Sequence, residues 1–195
     1  CIMDIQKKNR ELLKKNHVYN EQMEHDACGV GLVASTEGLK SRKVVEYGIQ
    51  ALKAVWHRGA IDADGKTGDG AGIHIEIPKD FFEEKIEITG HRHDNSDLCV
   101  GMIFLPRNDF SGQEQCRTIV ESELTKKNFN IYGWRQVPVD PSVLGEKAEL
   151  TRPEITQVLF RKNKSIETDD LERDLYVSRK KIEKLAREAQ LKDVY

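Results

Sequence analysis

The sequence predicts an α+β fold in which helices cover β-sheets. Apolar and polar residues alternate in several short segments, as they do in half-buried strands. Between these segments apolar residues recur every three or four positions, which is typical of amphipathic helices. The chain of 195 residues has no internal repeat, low-complexity tract or Gly/Ser linker, and its length fits one domain.

The N-terminal half predicts a strand, a helix and a second strand. Residues 30–34 alternate as in a strand, with glycines that would let a ligand or another backbone come close. Ser41 is a suitable N-cap for a helix whose apolar stripe runs through residues 44–56. In residues 73–77 isoleucine alternates strictly with polar residues, which predicts a half-buried strand ended by Pro78.

The C-terminal half predicts three strands and two helices. Residues 98–105 are apolar on both faces, which predicts a central strand covered on both sides. A helix is predicted over residues 111–127, and further strands over 131–137 and 155–161. The chain then forms a long amphipathic helix, with apolar residues from Leu171 to Ala189 on one side.

The composition excludes several classes of protein. Lys and Arg number 31 against 33 Asp and Glu, a net charge of −2, so no basic field favours nucleic acid or an anionic membrane. The longest apolar run is far shorter than the ~20 residues of a membrane helix. No secretory signal is recognisable, so we expect a cytoplasmic chain without nucleic-acid or membrane partners.

The four cysteines are expected to be reduced, because they form neither a Cys-x-x-Cys pair nor the dense pattern of a disulfide-rich domain. Cys99 lies within an apolar run and is expected to be buried. Cys116 falls in a predicted helix. Cys1 stands where a natural chain begins with Met, so we expect the numbering either to start inside a longer reading frame or to follow residues left by cloning.

Two segments have a composition poorly suited to packing: Asp26 to Gly31, and the glycine-rich residues 57–72. Glycine loses more conformational freedom on folding than other residues, so its density indicates unusual backbone angles or a ligand pressed against the backbone. The spacing matches neither a dinucleotide fingerprint nor a P-loop. A glycine-rich turn before the next strand and a cradle for an anion both remain open.

Arg58 follows the predicted helix and precedes Gly59. Its guanidinium could bind a carboxylate through two hydrogen bonds, or it could interact with the end of the helix dipole. The candidate metal ligands nearby are His57, Asp62, Asp64 and Asp69. No metal site is predicted, because these side chains lack a recurrent ligand spacing and because loop aspartates usually form turns.

Three motifs, in this order, resemble the start of the class II glutamine amidotransferase domain of glutamate synthase large subunits. They are Asp-Ala-Cys-Gly-Val-Gly at 26–31, His-Arg-Gly-Ala-x-x-Ala-Asp at 57–64 and Thr-Gly-Asp-Gly-Ala-Gly-Ile at 67–73. The resemblance extends from about residue 22 to the end of the chain, with further matches at residues 101–106, 133–140 and 171–179.

The resemblance implies an N-terminal nucleophile hydrolase fold, a four-layer αββα sandwich that would be incomplete at its C-terminal side. It implies that residues 1–27 are a leader removed on maturation and that 28–195 are the N-terminal part of the amidotransferase domain. Cys28 would be the nucleophile, Arg58 would bind the α-carboxylate of glutamine, and Gly59 would let the substrate approach closely.

The implied reaction is hydrolysis of L-glutamine through a γ-glutamyl thioester on Cys28. The α-amino group exposed by removal of the leader would act as the base, since its pKa of ~7.7 to 8.0 suits proton transfer at neutral pH. The ammonia would serve reductive amination of 2-oxoglutarate to glutamate. Two alternatives remain: a free-standing class II amidotransferase for another acceptor, and a non-catalytic module that binds an anion or nucleotide.

The family forms its oxyanion hole with an Asn-Gly element in a segment resembling His-Asn-Gly-Glu-Ile-Asn. No such segment occurs before Tyr195. We therefore expect about half of the domain here, and poor activity from it alone, because one lost oxyanion donor lowers rates ~10²- to 10³-fold. We expect no cofactor or metal in this chain. FMN, an iron–sulfur cluster and contacts with a small subunit or ferredoxin as electron donor would belong to further domains.

Overall fold

The computed structural model describes most of the chain, in five ranges and five isolated residues: 29–55, 61–68, 70–92, 97–163 and 171–191, with Lys8, Glu11, Leu12, Lys15 and Val194. The residues form two compact units. The first unit comprises residues 1–60 and 68–73, and the second comprises residues 61–67 and 74–195.

The described part of the first unit contains one long helix, α1 (Arg42–Ala54). Its N-cap is Ser41, whose hydroxyl oxygen accepts a hydrogen bond of 3.2 Å from the backbone N–H of Lys43. The predicted helix and its cap are therefore confirmed as far as Ala54. No residue of α1 is fully buried, so its apolar stripe is at most half-buried.

The strands predicted at residues 30–34 and 73–77 do not form. Val30 and Leu32 are 91% and 93% exposed, and neither segment pairs with a neighbouring strand among the described residues. An alternating pattern favours a strand only where a second strand satisfies the backbone N–H and C=O groups. That condition is not visible in a local sequence, so these two predictions are wrong for the described structure.

The second unit holds three strands and four α-helices in its described ranges. None of the helices described in this protein is long and apolar enough to cross a bilayer. In chain order the elements are α2 (Lys79–Ile88), β1 (Leu98–Leu105), α3 (Phe110–Lys126), β2 (Phe129–Gln136), a 3-10 turn (Pro141–Val143), α4 (Glu146–Thr151), β3 (Glu154–Lys162) and α5 (Leu171–Glu188).

The strands form an antiparallel sheet in the order β1-β3-β2. The strands predicted at residues 98–105, 131–137 and 155–161 are confirmed, and so is the α+β class. The central position predicted for residues 98–105 is wrong, because β3 lies between β1 and β2. The apolar residues of β1 alternate between two cores, one on each face of the sheet. A strand can therefore be buried on both faces and still lie at the edge of the sheet, with a neighbouring strand on one side only.

One core lies between the sheet and two helices, α3 and α5. It includes Cys99 and Val158 from the sheet and Cys116 and Val120 from α3. Half-buried side chains of α5, Leu171, Leu175 and Ile182, pack against it. The last helix predicted from the sequence therefore closes this core, and α3 matches the helix predicted over residues 111–127 within one residue at each end.

The other core lies on the opposite face of the sheet, under α2. Phe82 and Ile86 of this helix pack with Leu98, Tyr132 and Leu159. Neither α2 nor the short helix α4 was predicted. The described sheet is thus covered by helices on both faces, because its strands carry apolar residues on both faces that must be buried.

A glycine in the middle of β1 permits close packing against the central strand. Gly101 lies opposite Val158 in the register of the sheet. A Cβ atom added at Gly101 would lie 2.7 Å from Cγ1 of Val158, well inside the usual carbon–carbon separation of about 3.5 to 4.0 Å. The strand therefore has no room for a side chain there unless Val158 moves.

Helix α5 is also held by a group of charged side chains at the edge of the first core. Asp174 accepts a hydrogen bond of 3.0 Å from Nζ of Lys127, which follows α3, and lies 3.5 Å from Nζ of Lys162 at the end of β3. The hydrogen bond from Lys127 lowers the pKa of Asp174, and the charges of Lys127 and Lys162 lower it further against an opposing effect of burial.

We expect Asp174→Asn to reduce the acid sensitivity of this chain. The folded-state pKa of Asp174 lies below its unfolded value of about 3.9, so its contribution to stability is fully present above that pH and is lost as the pH falls through the folded pKa. Urea unfolding between pH 7 and pH 3 should show wild type and variant converging below about pH 4. The exposed Asp80→Asn is the control, and parallel curves for wild type and Asp174→Asn would contradict the prediction.

Candidate active site

The residues that the resemblance assigns to the active site lie outside the described ranges. They are Cys28, Arg58 and Gly59, so the structure does not test their placement or show whether they lie together. It does describe their neighbours in the sequence: the segment after Cys28, the helix before Arg58 and most of the glycine-rich segment after Gly59.

The helix before Arg58 ends earlier than the sequence suggests. Val55 is the C-cap of α1, and its N–H donates to the carbonyl oxygen of Leu52 at 3.3 Å. The basic residue in the last turn is Lys53. A basic side chain thus already lies in the last turn, where the helix dipole acts. Both interpretations of Arg58 stay predictions.

Residues 61–67, which we call the Asp62 turn, begin the described part of the glycine-rich segment. The N–H of Asp62 donates to the carbonyl oxygen of Thr67 at 2.7 Å, and the N–H of Gly65 donates to that of Asp62 at 2.9 Å. One carboxylate oxygen of Asp64 accepts from the N–H groups of Lys66 and Thr67, and the other accepts from the Thr67 hydroxyl. The turn is therefore closed by its own hydrogen bonds.

These bonds confirm that Asp62 and Asp64 form turns, as loop aspartates commonly do. The hydrogen bonds from the hydroxyl and the N–H of Thr67 and from the N–H of Lys66 lower the pKa of Asp64 to about 2, so Asp64 is ionised at neutral pH. Within the described ranges, no group of three or more His, Cys, Asp or Glu side chains is arranged to hold a metal ion.

The Asp62 turn packs against the start of α4. Nζ of Lys147 lies 2.7 Å from Oδ2 of Asp62, and this bond is the largest cause of a lowered pKa at Asp62. Gly145, the N-cap of α4, is so close that an added Cβ atom would lie 2.7 Å from the backbone nitrogen of Thr67. It would lie closer still to Oγ1 of Thr67 and Oδ2 of Asp64.

Helix α4 is in turn bound to the end of β1. Glu149 of α4 accepts hydrogen bonds from Arg107, which follows β1, and from Nε of Arg152 at 2.8 Å. The bonds from Arg152 and then Arg107 lower the pKa of Glu149. Sequence reasoning missed Gly145 and Lys147, because Lys147 lies 85 residues from its partner and the local sequence gives no signal of that contact.

The two described cysteines are unsuited to nucleophilic attack. Burial, with smaller effects from the charges of Asp97 and Glu172, raises the pKa of the Cys99 thiol to about 11. Burial also raises the pKa of Cys116. Because the thiolate is the reactive form of cysteine, both side chains are inert at neutral pH. The prediction that Cys99 is buried is confirmed, and both cysteines are free thiols as expected. Cys116, predicted only to fall in a helix, is buried as well.

Comparison with known proteins identifies the class. The family described as class II glutamine amidotransferases matches residues 28–195, so this chain belongs to that family. Among its relatives is the large chain of the NADPH glutamate synthase of Azospirillum brasilense. That protein is 51% identical over 187 residues, which cover 96% of this chain and 12% of the relative.

Other relatives are ferredoxin-dependent glutamate synthases. The protein of Pyropia yezoensis is 37% identical over 174 residues, covering 89% of this chain and 11% of the relative. The chloroplastic protein 2 of Arabidopsis thaliana is 37% identical over 187 residues, covering 94% and 11%. The chain is thus a glutamine amidotransferase domain similar to the one in glutamate synthases, and it spans about an eighth or less of these relatives.

Proposed function

We propose that this chain is the glutaminase part of a glutamate synthase, which hydrolyses L-glutamine and supplies the ammonia for reductive amination of 2-oxoglutarate to glutamate. The observation that carries the proposal is the 51% identity to a glutamate synthase large chain over 96% of this chain. That likeness favours glutamate synthesis over a free-standing amidotransferase or an anion-binding module. Since the chain covers 12% of the relative, the amination belongs to the remainder of a longer protein.

The proposed nucleophile is Cys28. Its sulfur attacks the amide carbon of the glutamine side chain, ammonia leaves, and water hydrolyses the γ-glutamyl thioester to glutamate. The α-amino group of Cys28 takes the thiol proton and passes it to the leaving nitrogen, which requires removal of residues 1–27. The family match that begins at residue 28 supports this assignment, and so do the high thiol pKa values of Cys99 and Cys116.

Arg58 and Gly59 are proposed to bind glutamine. The guanidinium of Arg58 would hold the α-carboxylate through two parallel hydrogen bonds, and Gly59 would leave room for the substrate beside it. The motif His-Arg-Gly-Ala-x-x-Ala-Asp at residues 57–64, by which the chain resembles the family, supports this role.

The four-layer arrangement of the N-terminal nucleophile hydrolases is proposed for the complete domain in the longer protein. Residues 30–34 and 73–77 keep an alternating pattern but lie outside any strand here, with Val30, Leu32, Ile73 and Ile75 exposed. Exposed apolar side chains on unpaired backbone favour pairing with strands from elsewhere in that protein. A cytoplasmic location stays a prediction, since some of the relatives are named chloroplastic.

FMN and an iron–sulfur cluster are proposed for other parts of the longer protein. Iron–sulfur clusters are held by cysteine thiolates, and Cys99 and Cys116 lie in an apolar core with raised thiol pKa values. These two residues therefore do not suit a cluster. The electron donor is proposed to be a pyridine nucleotide acting through a partner subunit. This chain has a higher sequence identity to the NADPH glutamate synthase than to the ferredoxin-dependent glutamate synthases. Ferredoxin is the alternative.

Labelling with an electrophilic glutamine analogue tests the nucleophile directly. We expect the natural protein to begin at Cys28 by intact mass, and the analogue to modify the Cys28 thiol. Excess glutamine should protect against the label, while the buried thiols of Cys99 and Cys116 serve as internal controls. A mature protein that retains residues 1–27 and still hydrolyses glutamine would exclude the proposed base.

A further inference from the structure

The free edge of β1 is a surface suited to pairing with a further strand. Because β3 lies between β1 and β2, each outer strand pairs on one side only among the described residues. We propose that the free edge of β1 binds a fourth strand, formed by the residues that follow α5 in the longer protein. This inference rests on the proposal that the chain is part of a longer protein, and it goes beyond the chemistry assigned to that protein.

The hydrogen bonds of β3 show which backbone groups of β1 face this edge. The carbonyl oxygen of Ile155 accepts a hydrogen bond of 2.9 Å from the N–H of Val137, directly after β2. Odd-numbered residues of β3 therefore point to β2, and even-numbered ones point to β1, where they lie opposite odd-numbered residues. The N–H and C=O groups of Val100, Met102 and Phe104 consequently face the free edge.

The edge of β1 lacks the features that keep other strands away. It pairs with β3 over eight consecutive residues without a shift in register, and it contains neither a charged residue nor proline. The other outer strand, β2, has a shift between Ile131 and Gly133 and carries the charged Arg135. Bulges and charges protect the edges of sheets against further pairing, so β1 is the edge open to it.

The connections between the strands direct the chain to the same edge. Both β1 and β2 are antiparallel to β3, and α3 joins them across β3. Helix α5 follows β3 and packs on the same face of the sheet as α3. Crossovers between parallel strands are nearly always right-handed. Because β3 runs opposite to β1, the second crossover moves across the sheet in the opposite direction, past β1 to its free edge.

The end of α5 turns the chain back towards the sheet. Gln190 has a positive φ of 56°, and the N–H of Leu191 donates to the carbonyl oxygen of Ala186 at 3.0 Å, a closure typical of helix C-termini. Leu191 and Val194 then pack against the core between the sheet, α3 and α5. Helices and following strands are commonly joined by about 2 to 6 residues, so the chain leaves α5 in a position to enter a strand.

The side chains of β1 define the chemistry of the strand that would fit. Cys99 and Leu105 lie in the core with α3 and α5, and Leu98 lies in the core under α2. Met102 shares a face with Leu98 but is 47% exposed. A strand beside β1 would extend both cores and cover Met102. The expected occupant is therefore an apolar strand that runs antiparallel to β1.

Hydrogen exchange in the natural full-length protein tests whether the edge is paired. We expect the amides of Val100, Met102 and Phe104 to exchange as slowly as those of Gly101 and Ile103, which face β3. A free edge would instead give an alternating pattern, in which the first three amides exchange at least about 10-fold faster than the other two. Mass spectrometry with fragmentation to single residues distinguishes the two patterns.

Disulfide formation identifies the segment that occupies the edge. Met102→Cys is combined with single cysteines at each of the first about fifteen residues after 195, the length of a short connection and a strand. Paired residues of neighbouring strands have Cα atoms about 4.5 to 5.5 Å apart, within the range of a disulfide. We expect disulfides only at positions two residues apart, on one face. Gln136→Cys, at the exposed end of β2, is the matched control and should form none.

An alternating exchange pattern would overturn the proposal. Disulfides from Met102→Cys to another part of the protein, or to a second copy of the chain, would also overturn it. If Met102→Cys does not fold, Phe104→Cys on the same face takes its place. Neither measurement uses glutamine or Cys28, whereas the proposed function fails only if the wild-type protein does not hydrolyse glutamine or is not labelled at Cys28. The two failures are therefore distinguishable.

Discussion

Cys28→Ala should abolish glutamine hydrolysis in the natural protein and leave ammonia-dependent glutamate formation intact. Without the thiol no γ-glutamyl thioester forms, and the remaining groups cannot replace a covalent nucleophile. Loss of a nucleophile in comparable hydrolases lowers kcat by ~10⁶-fold, so a fall of at least ~10⁴-fold is expected here. Free ammonia bypasses this step and should support the second reaction at its wild-type rate.

Cys116→Ala is the control for this experiment. The thiol of Cys116 is buried in the core between the sheet and α3, with a raised pKa, and has no part in the proposed chemistry. Both activities should survive this substitution. Residual glutaminase activity in Cys28→Ala would assign the nucleophile to another residue, whereas joint loss of both activities would indicate misfolding.

The elements predicted correctly from the sequence are those with complete local signals. Helix α1 has a capping serine and a regular apolar spacing, and α3 and the three strands of the sheet also have unbroken patterns. The order of strands in the sheet was not predictable in this way. It depends on pairing between distant segments, and β3 takes the centre although β1 is the more uniformly apolar strand.

The elements that were missed lack such signals. Helix α2 has no side-chain cap, and its apolar residues surround the axis, since Phe82 and Ile86 are buried while Phe81 and Ile88 are exposed. Helix α4 has only six residues, too few for a periodic pattern. Its contacts with the Asp62 turn join segments distant in the chain, which no local sequence reveals.

The candidate site shows the same division. Its chemistry is readable from short motifs, because a nucleophile, an arginine and glycines stand at fixed places in the sequence. The contacts of Gly145 and Lys147 with the Asp62 turn, in contrast, belong to no recognisable motif. They are visible only in the folded chain, as a close steric approach and an ion pair.

Two isoleucines on α2 allow a direct test of the second core. Ile86 is completely buried against Leu98, Tyr132 and Leu159, whereas Ile88, two residues on, is 74% exposed. We expect Ile86→Ala to lower the free energy of unfolding by about 2 to 5 kcal/mol, through lost apolar burial and a residual cavity. Ile88→Ala should change it by less than about 0.5 kcal/mol.

The comparison isolates burial from the preference of the residues for a helix. Alanine is the better helix former at both positions, so this small gain is similar in the two variants and cancels in their difference. Urea unfolding followed by circular dichroism should therefore separate the variants by at least about 1.5 kcal/mol. Equal losses of stability would mean that α2 does not present Ile86 to the sheet, and the core on that face would have to be reassigned.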